Sequence, residues 1–228
     1  MTPPTPSARP CFGPGCREYF IGWIVTSFLE NEPLIDDALK SELSALYAAQ
    51  DRHYHNLAHI EAMLALAADY RALLSDPEAV EAAIWFHDAI YDSKAKDNEA
   101  RSAALAAQKL AGRTDAERLD RIGAMILATA AHQLPQFDDT KATRDASLFL
   151  DMDLSILGAA PDAFDAYERA VRREYAWVEE PMWRVGRGAV LKTFLARDHI
   201  FHTDEFRQRF EPQARQNIAR SIEALAAD

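Results

Sequence analysis

The chain has 228 residues, of which 49% are hydrophobic and 27% are charged, as in ordinary globular domains. Its formal net charge of -11 repels nucleic acids and anionic membranes unless basic residues cluster, and no such cluster occurs. The apolar stretch at 20–28 is too short to span a bilayer, and the prolines before it do not fit a signal peptide. We therefore expect a cytoplasmic protein with neither a membrane nor a nucleic-acid partner.

The first segment, 1–16, contains five of the eleven prolines and predicts a flexible tail without a core. Cys11 and Cys16 lie in this segment. They could form half of a metal site or a small disulfide loop, but no second cysteine pair exists to complete a zinc site. Free thiols in the tail are the favoured interpretation.

The remainder, 17–228, predicts a single all-α domain, a bundle of about ten helices. Alanine, leucine, glutamate and arginine dominate, and apolar residues recur at spacings of three and four. A capping box at Thr114 and Glu117, first-turn prolines at 77 and 181, and terminal glycines at 112 and 158 mark the ends of helices. The predicted helices are 18–30, 36–50, 56–74, 77–91, 96–111, 115–132, 144–157, 161–178, 182–200 and 211–227.

The first cluster of chemical interest is a run of three histidines at the start of the third predicted helix. His55 and His59 are four residues apart, which places both imidazoles on one helical face. Paired histidines can bind a metal, but they also occur as capping or surface residues, so this cluster decides nothing alone.

The second cluster, His87-Asp88, closes the fourth predicted helix. His87 lies on the apolar face with Ile84, and Asp88 shares part of that face. A buried ionised carboxylate requires a cation or several hydrogen-bond donors. A metal would supply that cation, whereas the alternative is a structural His-Asp pair at a helix end.

The third cluster places Asp151 and Asp153 in an apolar run. The neighbours of Asp153 one helical turn away are all apolar, whereas Asp151 has serines among its neighbours. Asp153 is therefore the acid predicted to face the core, either bound to a metal or paired with Arg172 or Arg173.

Together these clusters predict a divalent metal held by His59, His87, Asp88 and Asp153. Nitrogen and oxygen ligands suit Mn, Fe, Co, Ni, Zn or Mg, and open coordination positions would allow the ion to activate water for hydrolysis of a phosphate ester.

The ordered motifs resemble those of the HD superfamily of metal-dependent phosphohydrolases, and the likeness covers most of 17–228. Tyr54-His55-Asn56 followed by His59 is similar to the cyclic-nucleotide phosphodiesterase branch, and Asp153-Leu154-Ser155 resembles its last ligand motif. The overall pattern looks closest to a bacterial group of predicted HD phosphohydrolases. No equivalent of the purine-binding glutamine of the phosphodiesterases can be placed, so a cyclic nucleotide is not predicted.

The resemblance implies an all-helical enzyme in which His55 is the general acid and the four predicted ligands hold the metal. It also implies that Asp92 orients water or transfers a proton, with a surface acid as the alternative. The candidate substrate-binding residues are Asn56, Glu99, His132 and Arg52.

Further assignments stay open at the level of sequence. His132 could contact substrate, bind a second metal or be a buried, hydrogen-bonded histidine. Arg52, Lys94, Arg173 and Arg187 are candidate phosphate-binding cations, each with a surface salt bridge as its alternative. We expect a small phosphorylated substrate, with nucleotides among the candidates. The alternatives are a di-iron oxygenase and a non-catalytic nucleotide-binding regulator. An apolar stripe on the last helix leaves a homodimer open.

Overall fold

The computed structural model describes residues 33–227, and those from Leu34 onward belong to one compact unit. The predicted helix at 18–30, the tail boundary at 16 and both cysteines lie outside these residues. Among the described residues there are nine α-helices and two 3-10 turns, Arg71–Leu73 and Ser155–Gly158, and no named strand. The α-helices are α1 (Asp37–Tyr47), α2 (Leu57–Asp69), α3 (Pro77–Phe86), α4 (Asn98–Leu110), α5 (Ala116–Ala128), α6 (Thr140–Leu154), α7 (Pro161–Glu174), α8 (Glu180–Leu195) and α9 (Asp204–Ala226).

The all-α prediction is confirmed, and the helix boundaries follow local capping chemistry. Pro77 and Pro181 occupy first-turn positions, and Gly112 follows α4 with a left-handed φ of 76°. The predicted capping box at Thr114 is wrong, because Asp115 is the N-cap and accepts a hydrogen bond from the backbone N–H of Arg118 at 2.8 Å. The predicted helix at 211–227 begins earlier, because Thr203 caps α9 and Pro212 lies inside the helix.

Helix α3 lies at the centre of the described unit. Seven of its ten residues are buried, and it packs against α1, α2, α4, α5 and α6. A short helix with most of its surface apolar has to be largely surrounded by other helices. The two residues after its C-terminal end, His87 and Asp88, therefore lie in the interior rather than on the surface. The helix ends at Phe86, so the prediction that it continues to 91 is wrong.

The end of α6 and the 3-10 turn that follows it pack closely against α9. A side chain at Gly158 would meet the backbone of Phe210 at 2.6 Å, so this close approach requires glycine. Asn217 on α9 donates hydrogen bonds to the carbonyls of Leu157 and Ala159, both at 2.9 Å. These contacts fix the end of α6, where Asp151 and Asp153 lie.

Candidate metal centre and active-site cavity

Three predicted metal ligands come together between α2, α3 and α6. The ligand atoms of His59, His87 and Asp153 lie within 4.8 Å of one another, so this group could hold a metal ion. His59 Nε2 lies 3.3 Å from His87 Nε2 and 3.2 Å from Asp153 Oδ1, and His87 Nε2 lies 3.8 Å from the same oxygen. Both histidines are buried.

Asp88 lies beside this group. Its Oδ2 is 3.1 Å from His87 Nε2 and 4.0 Å from His59 Nε2. Two atoms about 2.1 Å from one ion lie about 3 Å apart in adjacent octahedral positions and about 3.4 Å apart in a tetrahedron. Three of the five separations, 3.1 to 3.3 Å, match adjacent donors to a single ion, whereas the other two, 3.8 and 4.0 Å, are longer.

The backbone of α3 orients one of the two imidazoles. His87 Nδ1 lies 2.9 Å from the carbonyl oxygen of Ile84 and so donates to it, which leaves Nε2 as the nitrogen with a free lone pair. Such a contact from the far side of the ring is the usual way in which a protein fixes the tautomer of a ligating histidine.

The electrostatics of the cluster favour a cation. Burial alone would lower the pKa of His87, but the carboxylates of Asp88 and Asp153 outweigh burial and raise it to about 9. Burial would raise the pKa of Asp153, but hydrogen bonds with His132 and His59 hold it well below its usual range. A divalent ion bound here would replace the extra proton of His87, and the two carboxylates would balance its charge.

Glu174 holds His55 at the edge of this cluster. His55 Nδ1 lies 2.6 Å from Glu174 Oε2, which also accepts a hydrogen bond from the Tyr91 hydroxyl at 2.9 Å. Glu174 Oε1 accepts from three consecutive backbone N–H groups, those of residues 53, 54 and 55, at 2.7 to 3.0 Å. The His55 ring stacks on Tyr91 with ring centroids 4.2 Å apart.

These contacts set the charge of the pair. Burial would raise the pKa of Glu174, but the hydrogen bond with His55 and the backbone amides lower it to about 2. Burial would lower the pKa of His55, but the carboxylates of Asp88 and Glu174 outweigh it and raise the pKa above its ordinary value. Because Nδ1 faces Glu174, Nε2 is the ring atom free to exchange a proton with a substrate.

Glu174 was missed in the sequence, although a signal was present. It continues the apolar stripe of α7 formed by Phe164, Tyr167 and Val171, and its own side chain is fully buried. A glutamate at that position of an apolar face indicates a buried acid with several partners, by the same argument that selected Asp153.

A cavity of about 560 Å³ opens onto the cluster, within the range for small-molecule sites. Tyr54 and Tyr167, whose ring centroids are 4.5 Å apart, also line a second, more apolar cavity of about 660 Å³. Six predicted site residues line the first cavity, whereas His59 lines the second. The six are His55, His87, Asp88, Glu99, His132 and Asp153.

His132 contacts Asp153 from the side opposite the other imidazoles. Its Nε2 lies 3.0 Å from Asp153 Oδ2, while Oδ1 faces His59 and His87. The predicted helix does not extend to His132, because α5 ends at Ala128 and His132 has a left-handed φ of 47°. This backbone is uncommon for histidine and turns the side chain toward the cluster.

Three predicted site residues have other surroundings. Arg52 is buried and donates to the carbonyl oxygens of His55, Asp88 and Ala89 at 2.6 to 3.0 Å, so it joins two segments of the site rather than lining the cavity. Asn56 is the N-cap of α2 and accepts from the backbone N–H of residue 58. Asp92 is exposed, caps a local turn through the N–H of residue 94, and does not line the cavity. This geometry gives no support to direct substrate contact by these three.

The predicted phosphate-binding cations also differ in whether they line the cavity. Lys94 lies over the Trp177 ring outside the cavity lining, and Arg173 is exposed. Arg187 lines the cavity but is paired with Glu168. Two cations that the sequence did not single out, Lys96 and Arg197, also line it.

Comparison with known proteins gave no matching family model, curated protein or solved structure. The likeness to HD phosphohydrolases therefore stays a prediction from the motifs. Among the described helices, none is both long and apolar enough to cross a membrane.

Proposed function

We propose that this protein is a metal-dependent hydrolase of a small phosphate ester, with nucleotides among the candidate substrates. The observation that supports this most is the group formed by His59, His87 and Asp153, which could hold a metal ion, with Asp88 Oδ2 3.1 Å from His87 Nε2 beside it. The order of these residues in the chain and the histidine at position 55 resemble the HD phosphohydrolase motifs.

The chemistry follows from the residues that face the cavity. When bound, a divalent cation at this position would activate water and polarise a phosphoryl oxygen. Asp88 borders both the ion position and the cavity, so its carboxylate is suited to orient the attacking water. His55, whose pKa is raised by the carboxylates of Asp88 and Glu174, is suited to donate a proton from Nε2 to the leaving oxygen.

Metal analysis and a substrate panel test the proposal. We expect about one divalent ion per chain and turnover of at least one phosphomonoester or diester. His87→Ala should lose both, whereas His199→Ala, which changes an exposed histidine outside the cavity lining, should keep both. Metal-loaded protein that is inert to every ester tried would contradict the proposal, and tight nucleotide binding without turnover would indicate a regulatory binder.

A second candidate, a di-iron oxygenase, has one observation in its favour. Asp153 presents one oxygen to His59 and His87 and the other to His132 at 3.0 Å, an arrangement in which a carboxylate could bridge two ions. Two irons per chain and oxygen uptake would favour this candidate over hydrolysis.

A further inference from the structure

The two arginines that line the cavity differ in how their charge is neutralised. Arg187 pairs with Glu168 and donates to the Tyr167 hydroxyl at 2.8 Å. Burial alone would lower its pKa, but the Tyr167 hydroxyl and the Glu168 carboxylate outweigh burial and raise it. Arg197, in contrast, has no carboxylate within 4.0 Å among the described residues. Its charge is therefore available to an anion.

The guanidinium of Arg197 is nevertheless held in place. Its Nη1 and Nη2 donate to the carbonyl oxygens of His132 and Ala131 at 3.2 and 3.0 Å, and it lies over the Phe194 ring at 4.7 Å. Two of its five N–H donors are thus used within the described chain, and the planar fork is oriented before a ligand arrives. Burial lowers the pKa of Arg197, with no carboxylate to offset the effect.

The position of Arg197 connects it with the metal centre. It contacts the backbone of His132, whose imidazole lies 3.0 Å from Asp153. The guanidinium of Arg197 thus contacts a residue, His132, that itself contacts the proposed metal ligand Asp153. A phosphoryl group at the ion would lie in the cavity that Arg197 also lines.

Lys96 supplies a second cation from the segment that precedes α4. It lines the cavity and has no carboxylate within 4.0 Å among residues 33–227. A divalent ion would be balanced by Asp88 and Asp153, which leaves Lys96, Arg197 and Glu99 as the remaining unpaired charges in the cavity lining.

We propose that Arg197, assisted by Lys96, binds the phosphoryl oxygens of the substrate and selects a phosphate monoester over a diester. A monoester carries up to two negative charges near neutral pH and presents three terminal oxygens that two cations can contact together, whereas a diester carries one charge and presents two such oxygens. Arginine forms paired hydrogen bonds with two oxygens of one phosphate, which gives orientation as well as affinity. This inference rests on the proposed hydrolase function.

Calorimetry with inorganic phosphate on the metal-loaded protein tests the site without requiring turnover. Arg197→Gln should weaken phosphate binding by about ten- to a hundredfold, Lys96→Gln by less, and Arg197→Lys by an intermediate factor. Arg220→Gln is the matched control, since Arg220 also lies over a phenylalanine ring but pairs with Asp165 outside the cavity. It should bind phosphate like the parent protein.

Kinetics complete the test. With 4-nitrophenyl phosphate, Arg197→Gln should raise KM by about tenfold or more, and the increase should be smaller for the bis(4-nitrophenyl) diester. Unchanged phosphate affinity, or equal KM increases for both esters, would overturn the inference. Loss of metal in Arg197→Gln would also overturn it, because Arg197 would then act by holding His132.

Failure of this inference can be distinguished from failure of the hydrolase proposal. If the parent protein binds phosphate through Arg197 but cleaves no ester, the anion site stands and the hydrolase proposal fails. If the parent cleaves esters and Arg197→Gln does so with an unchanged KM, only the anion site fails.

Discussion

The two sides of the C-terminal end of α6 carry aspartates with opposite surroundings. Asp151 accepts hydrogen bonds from the N–H groups of His202 and Thr203 and from the Thr203 hydroxyl, at 2.6 to 2.8 Å. Asp153 faces the imidazoles of His59, His87 and His132. Both acids lie in the same helix only two residues apart.

Their ionisation differs accordingly. Burial raises the pKa of Asp151 to about 6, because its hydrogen bonds offset only part of the cost of burying a charge. Asp153 stays ionised because imidazoles hold its pKa low. A buried acid therefore indicates a metal site only when its partners are themselves potential metal ligands. Backbone N–H partners indicate a structural role instead.

The largest expected effect is that of Asp153→Asn. Replacing second-layer partners of a metal typically costs 10- to 100-fold in affinity, so loss of a direct ligand should cost more than about 100-fold and abolish hydrolysis. Metal content and activity measure this. Asp153→Asn protein that keeps stoichiometric metal would contradict the assignment of Asp153 as a direct ligand.

Glu174 combines both kinds of contact, since it accepts from backbone N–H groups and from an imidazole. Glu174→Gln removes the charge behind His55, so kcat should fall by about 100-fold or more, with KM and metal content nearly unchanged. Glu180→Gln, at an exposed acid, is the control. A loss of metal together with activity would assign Glu174 to general support of the site.

Glu174 also predicts a pH dependence of stability. Its pKa is about 2 in the folded protein against an ordinary 4.5, so its contribution is complete above 4.5 and is lost as pH falls from about 4.5 to 2. The shift corresponds to about 3 kcal/mol. In urea unfolding, the stability difference between the parent protein and Glu174→Gln should shrink across that interval. A difference that is constant with pH would contradict the assignment.

Asp151→Asn should affect folding and leave the metal in place. The amide cannot accept all three hydrogen bonds, so the free energy of unfolding should fall by about 2 kcal/mol. Chemical unfolding and metal analysis measure the two effects separately. Metal loss comparable to that of Asp153→Asn would erase the distinction between the two sides of α6.

The smallest expected effect is that of Asp92→Ala. Asp92 is exposed and caps a turn outside the cavity lining, so kcat should change by less than about twofold. A rate assay decides this. A tenfold loss would restore the catalytic role that the HD resemblance implies for this acid.

Helical periodicity was sufficient to predict the fold class. It selected Asp153 rather than Asp151 as the acid facing the core, and this is wrong: Asp151 is fully buried among backbone N–H donors of a distant segment, whereas Asp153 is only partly buried. The same argument, applied to every helix, would also have singled out Glu174 on the apolar stripe of α7. Its partners, however, are 83 to 121 residues away in the sequence, so no local pattern could identify them.

The remaining differences arise where local and long-range contacts compete. Asn56 and Asp92 satisfy nearby backbone N–H groups, a role that motif matching does not distinguish from a catalytic one. Arg52 was predicted to bind phosphate or to form a surface salt bridge, because its three carbonyl partners are not visible in the sequence. Arg197 follows α8 at the start of a connection, and only the folded chain brings it to the cavity.

The candidate metal ligands and the charged residues at helix ends that line the cavity differ in their surroundings, and this difference has a consequence for evolution. His59 and His87 lie in the packed interior, where a change disturbs many neighbours at once. Lys96, Glu99 and Arg197 lie at or beyond helix ends, where replacement disturbs little else. Descendants of this chain could therefore acquire new substrate preferences through substitutions at these helix ends, while the buried histidines stay unchanged.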